Sequence, residues 1–216
     1  MFAWSAATAL AVVALLFCEH TGRTAGVWLA KPMASTAFVA VALAAGATES
    51  GYGCAILAGL VLSWFGDVFL IPRGRPHIFL AGVLSFLAGH VAYTAAFVVR
   101  GMDLGVFVGA ALGAGLVALV VLRWLGAHVP PEMKVAVPAY IAVISIMVVC
   151  AAASFAARGN TWIPVGAVGF YLSDLSVARD RFVVSEFVNR LWGLPLYYAA
   201  QVAMAWSVHA ERSLLG

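Results

Sequence analysis

Residues 104–122 read LGVFVGAALGAGLVALVVL, with no charged or strongly polar side chain between Asp103 and Arg123. A helix that crosses the hydrocarbon core of a bilayer needs roughly 20 such residues. The apolar positions do not alternate with period two, so a strand is ruled out. Outward from this run, which extends over 104–125, comparable segments lie at 2–18, 27–47, 52–71, 77–99, 134–155, 162–178 and 187–208. Turn-forming or charged stretches separate them, at Glu19–Arg23, Glu49–Gly51, Pro72–Pro76, Arg100–Asp103, Ala127–Glu132, Arg158–Thr161 and Arg179–Glu186. The pattern predicts an all-α, polytopic membrane protein: a single domain over 1–216, with eight transmembrane helices and short loops. The first segment lacks a basic leader, and Cys18-Glu19-His20 is not a small-residue cleavage site, so it is expected to be helix one and not a signal peptide.

Composition agrees. The chain is 64% hydrophobic and 10% charged, against about 45–50% and about 25% for soluble domains, and its mean hydropathy is +1.03. The partner implied is the lipid bilayer. A net charge of +3 spread over loops supplies no basic stripe for nucleic acid. Cys18, Cys54 and Cys150 lie in apolar stretches without CxxC spacing, so neither a disulfide framework nor a thiolate metal site is indicated.

Eight spans put both termini on one side, with Arg100, Arg158 and Arg212. Arg23, Lys31, Arg73, Arg75, Arg123, Lys134, Arg179, Arg181 and Arg190 fall on the other. The positive-inside rule then places the basic loops in the cytoplasm and both termini outside a plasma (inner) membrane. A weak internal repeat, about 1–103 and 104–216, accompanies this. Gly59 precedes Asp67 by eight residues and Gly166 precedes Asp174 by eight; arginine pairs follow both aspartates, and Pro32 and Pro138 share nearly the same offset. Four helices per half make the repeats parallel, about an axis along the membrane normal, so that Asp67 faces Asp174.

An ionisable group inside a span costs at least about 2.5–3.5 kcal/mol and requires a reason. Counted from the expected helix ends, Lys31, Asp67 and Asp174 each sit four residues, roughly 6 Å, inside the basic face. His90 and Gln201 lie deeper. Tyr93 shares a face with His90, and Tyr197 and Tyr198 share one with Gln201. Ser63 lies one turn before Asp67, and Tyr171 three residues before Asp174, so each carboxylate is expected to have a hydroxyl neighbour on its own helix. Ordinary readings compete: Lys31 as a snorkelling anchor, the loop arginines as topology charges, His90, Tyr93 and Gln201 as interhelical glue, Asn189 and Arg190 as a helix start, and Gly105-x3-Gly109-x3-Gly113 as close helix packing.

The ordered series Lys31-Pro32, Ser63-Trp64-Phe65-Gly66-Asp67, His90-x2-Tyr93, Gly169-Phe170-Tyr171-Leu172-Ser173-Asp174 and Tyr197-x3-Gln201 resembles the YhhN family of membrane proteins, whose characterised members are lysoplasmalogenases. The likeness runs from helix two to helix eight. It implies hydrolysis of the vinyl ether of a lysophospholipid substrate, giving a fatty aldehyde and glycerophosphoethanolamine or glycerophosphocholine. The family's functional positions fall on Lys31, Asp67, His90, Tyr93, Asp174 and Gln201. The loops Arg73-Gly-Arg75 and Arg179-Asp-Arg181 depart from the pattern and leave head-group choice open.

The chemistry suits these residues. A vinyl ether is electron-rich and must be protonated on carbon before water captures the resulting oxocarbenium ion. That calls for one proton-bearing carboxyl and one carboxylate, as in glycoside hydrolysis. The expected catalytic set is Asp67, Asp174, His90 and Lys31, with Lys31 holding one aspartate as the anion and His90 positioning water or relaying a proton. Tyr93, Tyr171, Gln201, Tyr197 and Ser63, with Arg73, Arg179 and Arg190 for the phosphate, form the expected substrate-binding set. No cofactor and no metal are expected. A zinc site on Asp67, His90 and Asp174 has fewer histidines than is usual for catalysis. A lipid or small-solute transporter is the alternative from another class and predicts access from both sides, followed by a lysolipid binder without catalysis. A retinal-type protein is a poor match, because Lys31-Pro32 lies near a helix start.

Overall fold

The computed structural model describes residues 1–215, and every long element among them is a helix: α1 Phe2–His20, α2 Thr24–Ala44, α3 Gly51–Phe69, α4 Pro76–Arg100, α5 Leu104–Gly126, α6 Ala136–Arg158, α7 Trp162–Ala178 and α8 Phe187–Leu215. All eight predicted segments are found. Local chemistry sets their ends. Ser50 Oγ accepts from Gly53 N–H at the start of α3, Asp103 Oδ1 accepts from Val106 N–H at the start of α5, and Pro76 stands in the first turn of α4. Gly101 and Gly159 end α4 and α6 at φ +103° and +74°, a region open to glycine. Six stretches are long and apolar enough to cross a membrane, namely α1 to α5 and Pro131–Arg158, which contains α6. The protein is an integral membrane protein.

Sequential helices pair as hairpins, α1 with α2, α3 with α4, α5 with α6 and α7 with α8. The halves meet where α8 packs on α2 and where α4 packs on α6. Small residues permit close approaches. A Cβ at Gly66 would lie 2.7 Å from the Phe86 ring, and one at Gly166 would lie 3.0 Å from Met204 Cγ, so both the α3–α4 and the α7–α8 hairpins close over a glycine. The buried centre, with Phe38, Tyr93, Phe97, Phe170, Tyr198 and Met204, lies between the halves.

The glycine run of α5 is a correction. Among the described residues nothing lies within 4 Å of a Cβ built at Gly109 or Gly113. Helix α5 packs chiefly on α6 and buries only Val121 and Leu125, so the expected close packing does not occur within this chain.

The end of the bundle that carries the termini is sealed by a buried cation. Arg100 Nε donates to Glu211 Oε2 at 2.6 Å, Nη1 to the Ser154 carbonyl at 2.8 Å and Nη2 to the Arg158 carbonyl at 3.2 Å. One side chain thereby ties α4, α6 and α8 together and satisfies carbonyls at the end of α6. Arg212 pairs with Glu49 at 2.8 Å on the same side.

Candidate functional site

The opposite end opens into a cleft of about 1230 Å³. Its floor carries both aspartates, its walls include Leu15, Val27, Phe86 and Ile144, and its mouth carries Arg73, Arg75, Arg181 and Arg190. An apolar body with a few convergent polar groups is the usual form of a small-molecule site.

Asp67 is the more buried carboxylate, its side chain 3% exposed against 19% for Asp174. Its Oδ2 accepts from Ser35 Oγ and from Tyr197 O–H, each at 2.7 Å, and Lys31 Nζ lies 3.4 Å from Oδ1. Ser35 Oγ also lies 3.2 Å from Tyr198 O–H and 3.0 Å from the Lys31 carbonyl. Three donors from α2 and α8 therefore converge on one carboxylate, which is how a buried charge is held.

Asp174 is furnished more sparsely. Tyr140 O–H of α6 donates to its Oδ2 at 2.7 Å, and His90 Nε2 of α4 stands 3.7 Å from the same oxygen, beyond hydrogen-bond range. The His90 ring is fixed between Phe170 and Tyr140, with centroids 4.5 and 5.4 Å away. Each aspartate is thus met by the helix that precedes its own, α2 or α6, and by the last helix of the other half, α8 or α4.

The expected hydroxyl neighbours are corrected by this geometry. Ser63 Oγ and Tyr171 O–H are buried without hydrogen-bond partners among the described residues; the hydroxyls on the aspartates come from other helices, through Ser35, Tyr197 and Tyr140. The expected four-residue offsets from the helix ends are corrected as well. Helix α2 begins at Thr24 and α3 ends at Phe69, so Lys31 lies roughly 10 Å into its helix and Asp67 only about 3 Å from the end of its own.

Lys31, Asp67, Asp174, Tyr171, Tyr197, Arg73 and Arg190 all line the cleft. His90, Tyr93, Gln201 and Ser63 form a layer beneath it, in which Tyr93 O–H donates to Gln201 Oε1 at 2.7 Å. Arg179 is turned away from the lining and pairs with Glu186 at 3.4 Å and with Asn189. Arg73 and Arg190 are paired with carboxylates, whereas Arg75 and Arg181 have no carboxylate partner among the described residues. The three groups weighed for zinc do not converge, because Asp67 is turned to α2 and α8; no group of three or more His, Cys, Asp or Glu side chains gathers among the described residues.

The sequence does not single out Ser35, Tyr140, Glu19 or Asp180, and it gives Tyr198 only as a neighbour of Gln201 and Asn189 only as a helix start. Ser35 carried a usable signal, since it stands four residues after Lys31 and so on the same helical face. By sequence Glu19 and Asp180 read as loop residues, whereas Glu19 lies in the last turn of α1 and Asp180 in the turn Arg179–Val183. Asn189 is buried and clamps the α7–α8 connection, donating to the Val184 carbonyl at 2.8 Å.

A membrane-embedded helical bundle with two unlike carboxylates on one lipid-sized cleft is the class that fold and site define. The chain belongs to the YhhN family, whose model matches residues 26–208. It is 31% identical over 167 residues to bovine lysoplasmalogenase TMEM86A, covering 73% of this chain and 66% of the relative. It is 32% identical to porcine lysoplasmalogenase TMEM86B, covering 76% and 67%, and 32% identical to human lysoplasmalogenase TMEM86A, covering 73% and 66%. In each case the match spans about two thirds of the relative's own length. No solved structure matches the chain.

Proposed function

We propose that this chain is a lysoplasmalogenase, an ether hydrolase that cleaves the vinyl ether of a lysophospholipid drawn from the bilayer, with Asp174 as proton donor and Asp67 as standing carboxylate. The observation that carries the assignment is the unequal furnishing of the two aspartates. Ser35, Tyr197 and the Lys31 ammonium all favour a charged Asp67. Asp174 receives one donor on Oδ2, and its Oδ1 accepts no hydrogen bond among the described residues.

The steps balance. Asp174 delivers its proton to the alkenyl carbon remote from oxygen, giving an oxocarbenium ion that the Asp67 carboxylate stabilises electrostatically. Water adds to the other carbon and passes a proton to Asp67. The hemiacetal then collapses: Asp67 returns that proton to the departing glycerol oxygen while Asp174 takes the proton of the hemiacetal hydroxyl. One water is consumed, fatty aldehyde and glycerophospho alcohol leave, and both carboxyls return to their starting states. His90, packed behind Asp174, acts as a positioning residue. Tyr93, Gln201 and Ser63 support it from the layer below, while Tyr171 and Tyr197 face the substrate. Arg75 and Arg181, with Arg73 and Arg190, meet the phosphate at the mouth.

All eight helices span the membrane in this reading. Helix α7, with 17 residues, is at the short end of what suffices, and α8 passes through the centre of the bundle. The corresponding contacts of Asp67 and Asp174 support two parallel four-helix repeats. The cleft opens at the basic end and the Arg100–Glu211 network closes the other, which favours an enzyme fed from one side over a transporter; the excess of basic residues at the open end supports basic loops in the cytoplasm and termini outside a plasma membrane.

The test is aldehyde release from alkenyl-lysophosphatidylethanolamine by the purified protein in D2O, with and without a chelator. The expected product carries one deuterium on the carbon next to the aldehyde and forms equally with chelator present. Loss of activity on chelation would point to a metal-dependent reaction. No aldehyde from folded protein across head groups would leave a lysolipid binder or a transporter.

A further inference from the structure

The cations at the mouth of the cleft are interleaved with two carboxylates that play different parts. Asp180, in the π-helical turn Arg179–Val183, has both oxygens engaged within the fold. Its Oδ1 accepts from Ser185 and Asn189, each at 3.2 Å, and its Oδ2 accepts from Arg190 at 3.0 Å. It fixes the α7–α8 connection. Glu19, at the end of α1, is otherwise. Its Oε2 receives Arg73 Nη2 at 2.6 Å and Arg190 Nη1 at 3.7 Å. Its Oε1 accepts no hydrogen bond among the described residues, yet the side chain lines the cleft and is only 12% exposed. A mostly buried carboxylate therefore holds two arginines on one oxygen and leaves the other to the cleft.

That order of charge matches a zwitterionic phosphodiester, in which an ammonium stands two carbons from the phosphate. We propose that Glu19 is the receptor for the head-group ammonium, with Arg73 and Arg190 on the phosphate, and that it makes the site prefer ethanolamine to choline. A primary ammonium brings N–H donors to Oε1, and charge-assisted hydrogen bonds of this kind are the strong ones. A trimethylammonium has no N–H and is suited instead by aromatic faces. Phe79, an aromatic ring at the mouth, is already covered by the Arg181 guanidinium, 4.2 Å from its centroid. The inference rests on the lysolipid reading above and adds to it the residue that reads the amine.

The test uses non-cleavable saturated-ether lysolipids, 1-O-alkyl-glycerophosphoethanolamine and 1-O-alkyl-glycerophosphocholine, titrated against the intact protein in detergent and followed by tryptophan fluorescence. The wild type is expected to bind the ethanolamine form roughly tenfold more tightly, the scale of one hydrogen bond to a charged group. Glu19→Gln is expected to bring the ratio near one. The same substitution loosens Arg73 and Arg190, but that loss falls on both head groups alike, so the ratio isolates the ammonium. Arg75→Gln, which touches phosphate binding only, is expected to weaken both and keep the ratio. Equal affinities in the wild type, measured without any variant, overturn the proposal, as does a preference that survives Glu19→Gln. Binding of neither lysolipid instead overturns the lysolipid reading itself.

Discussion

Replacing Tyr197 by phenylalanine removes one atom from the site and little else. The hydroxyl donates to Asp67 Oδ2 at 2.7 Å, while the ring is held edge-on by Phe38, Phe86 and Phe170 at centroid distances of 6.3, 5.8 and 5.3 Å. Phenylalanine keeps those contacts. A hydrogen bond to a charged group contributes about 1.5–3 kcal/mol, and each 1.36 kcal/mol of barrier is about tenfold in rate. If Asp67 stabilises the oxocarbenium ion as an anion, kcat falls by about 10- to 100-fold, with Ser35 and Lys31 sustaining the remainder. Ser35→Ala acts on the same oxygen, so the double variant is expected to lose less than the product of the two single losses. The assay is aldehyde release at saturating substrate, with thermal unfolding in detergent as the check on folding. A Tyr197→Phe enzyme within twofold of wild type in kcat would exclude Asp67 as the anion that stabilises the oxocarbenium ion, and so would a loss confined to KM.

Two further predictions concern the scaffold. Glu211→Gln strands the buried Arg100 guanidinium without its carboxylate and is expected to cost about 3–5 kcal/mol, read as a lowered unfolding midpoint in detergent; Arg100→Met with Glu211→Met is expected to recover much of that loss. Gly66→Val places a side chain where a Cβ already lies 2.7 Å from Phe86, so α3 and α4 are forced apart beside Asp67. A cost of about 1–3 kcal/mol is expected, with aldehyde release falling further than stability, and full activity in that variant would count against the close hairpin.

The helices were legible because the solvent is apolar. A bilayer demands long apolar runs, and loops carrying Gly, Pro and charge interrupt them, so the segment 104–125 and the helix Leu104–Gly126 agree within a residue. Asp67, Asp174 and Lys31 stood out for the complementary reason, as ionisable groups where few are tolerated. Their surroundings were not legible. Tyr140 is an ordinary helical residue by sequence, Ser35 and Tyr198 show only that they share faces with Lys31 and Gln201, and it is the packing of α2 and α8 on α3, and of α6 on α7, that turns the hydroxyls inward. Gly59 and Gly166, noticed as a repeat, mark the close approaches of two hairpins. The α5 glycines suggested the same role and lack it within this chain, because spacing alone does not say whether a partner helix is present. Glu19 looked like a separator between helices; its hold on Arg73 and Arg190 joins residues far apart in the chain.

In the proposed mechanism two aspartates divide the work of vinyl ether hydrolysis between them. It is tested most directly by single-turnover aldehyde release from alkenyl-lysophosphatidylethanolamine in Asp67→Asn and Asp174→Asn, each checked for binding of the saturated-ether analogue. Both variants are expected to bind the analogue within several-fold of wild type and to release no measurable aldehyde. Aldehyde release near the wild-type rate from either variant would contradict it.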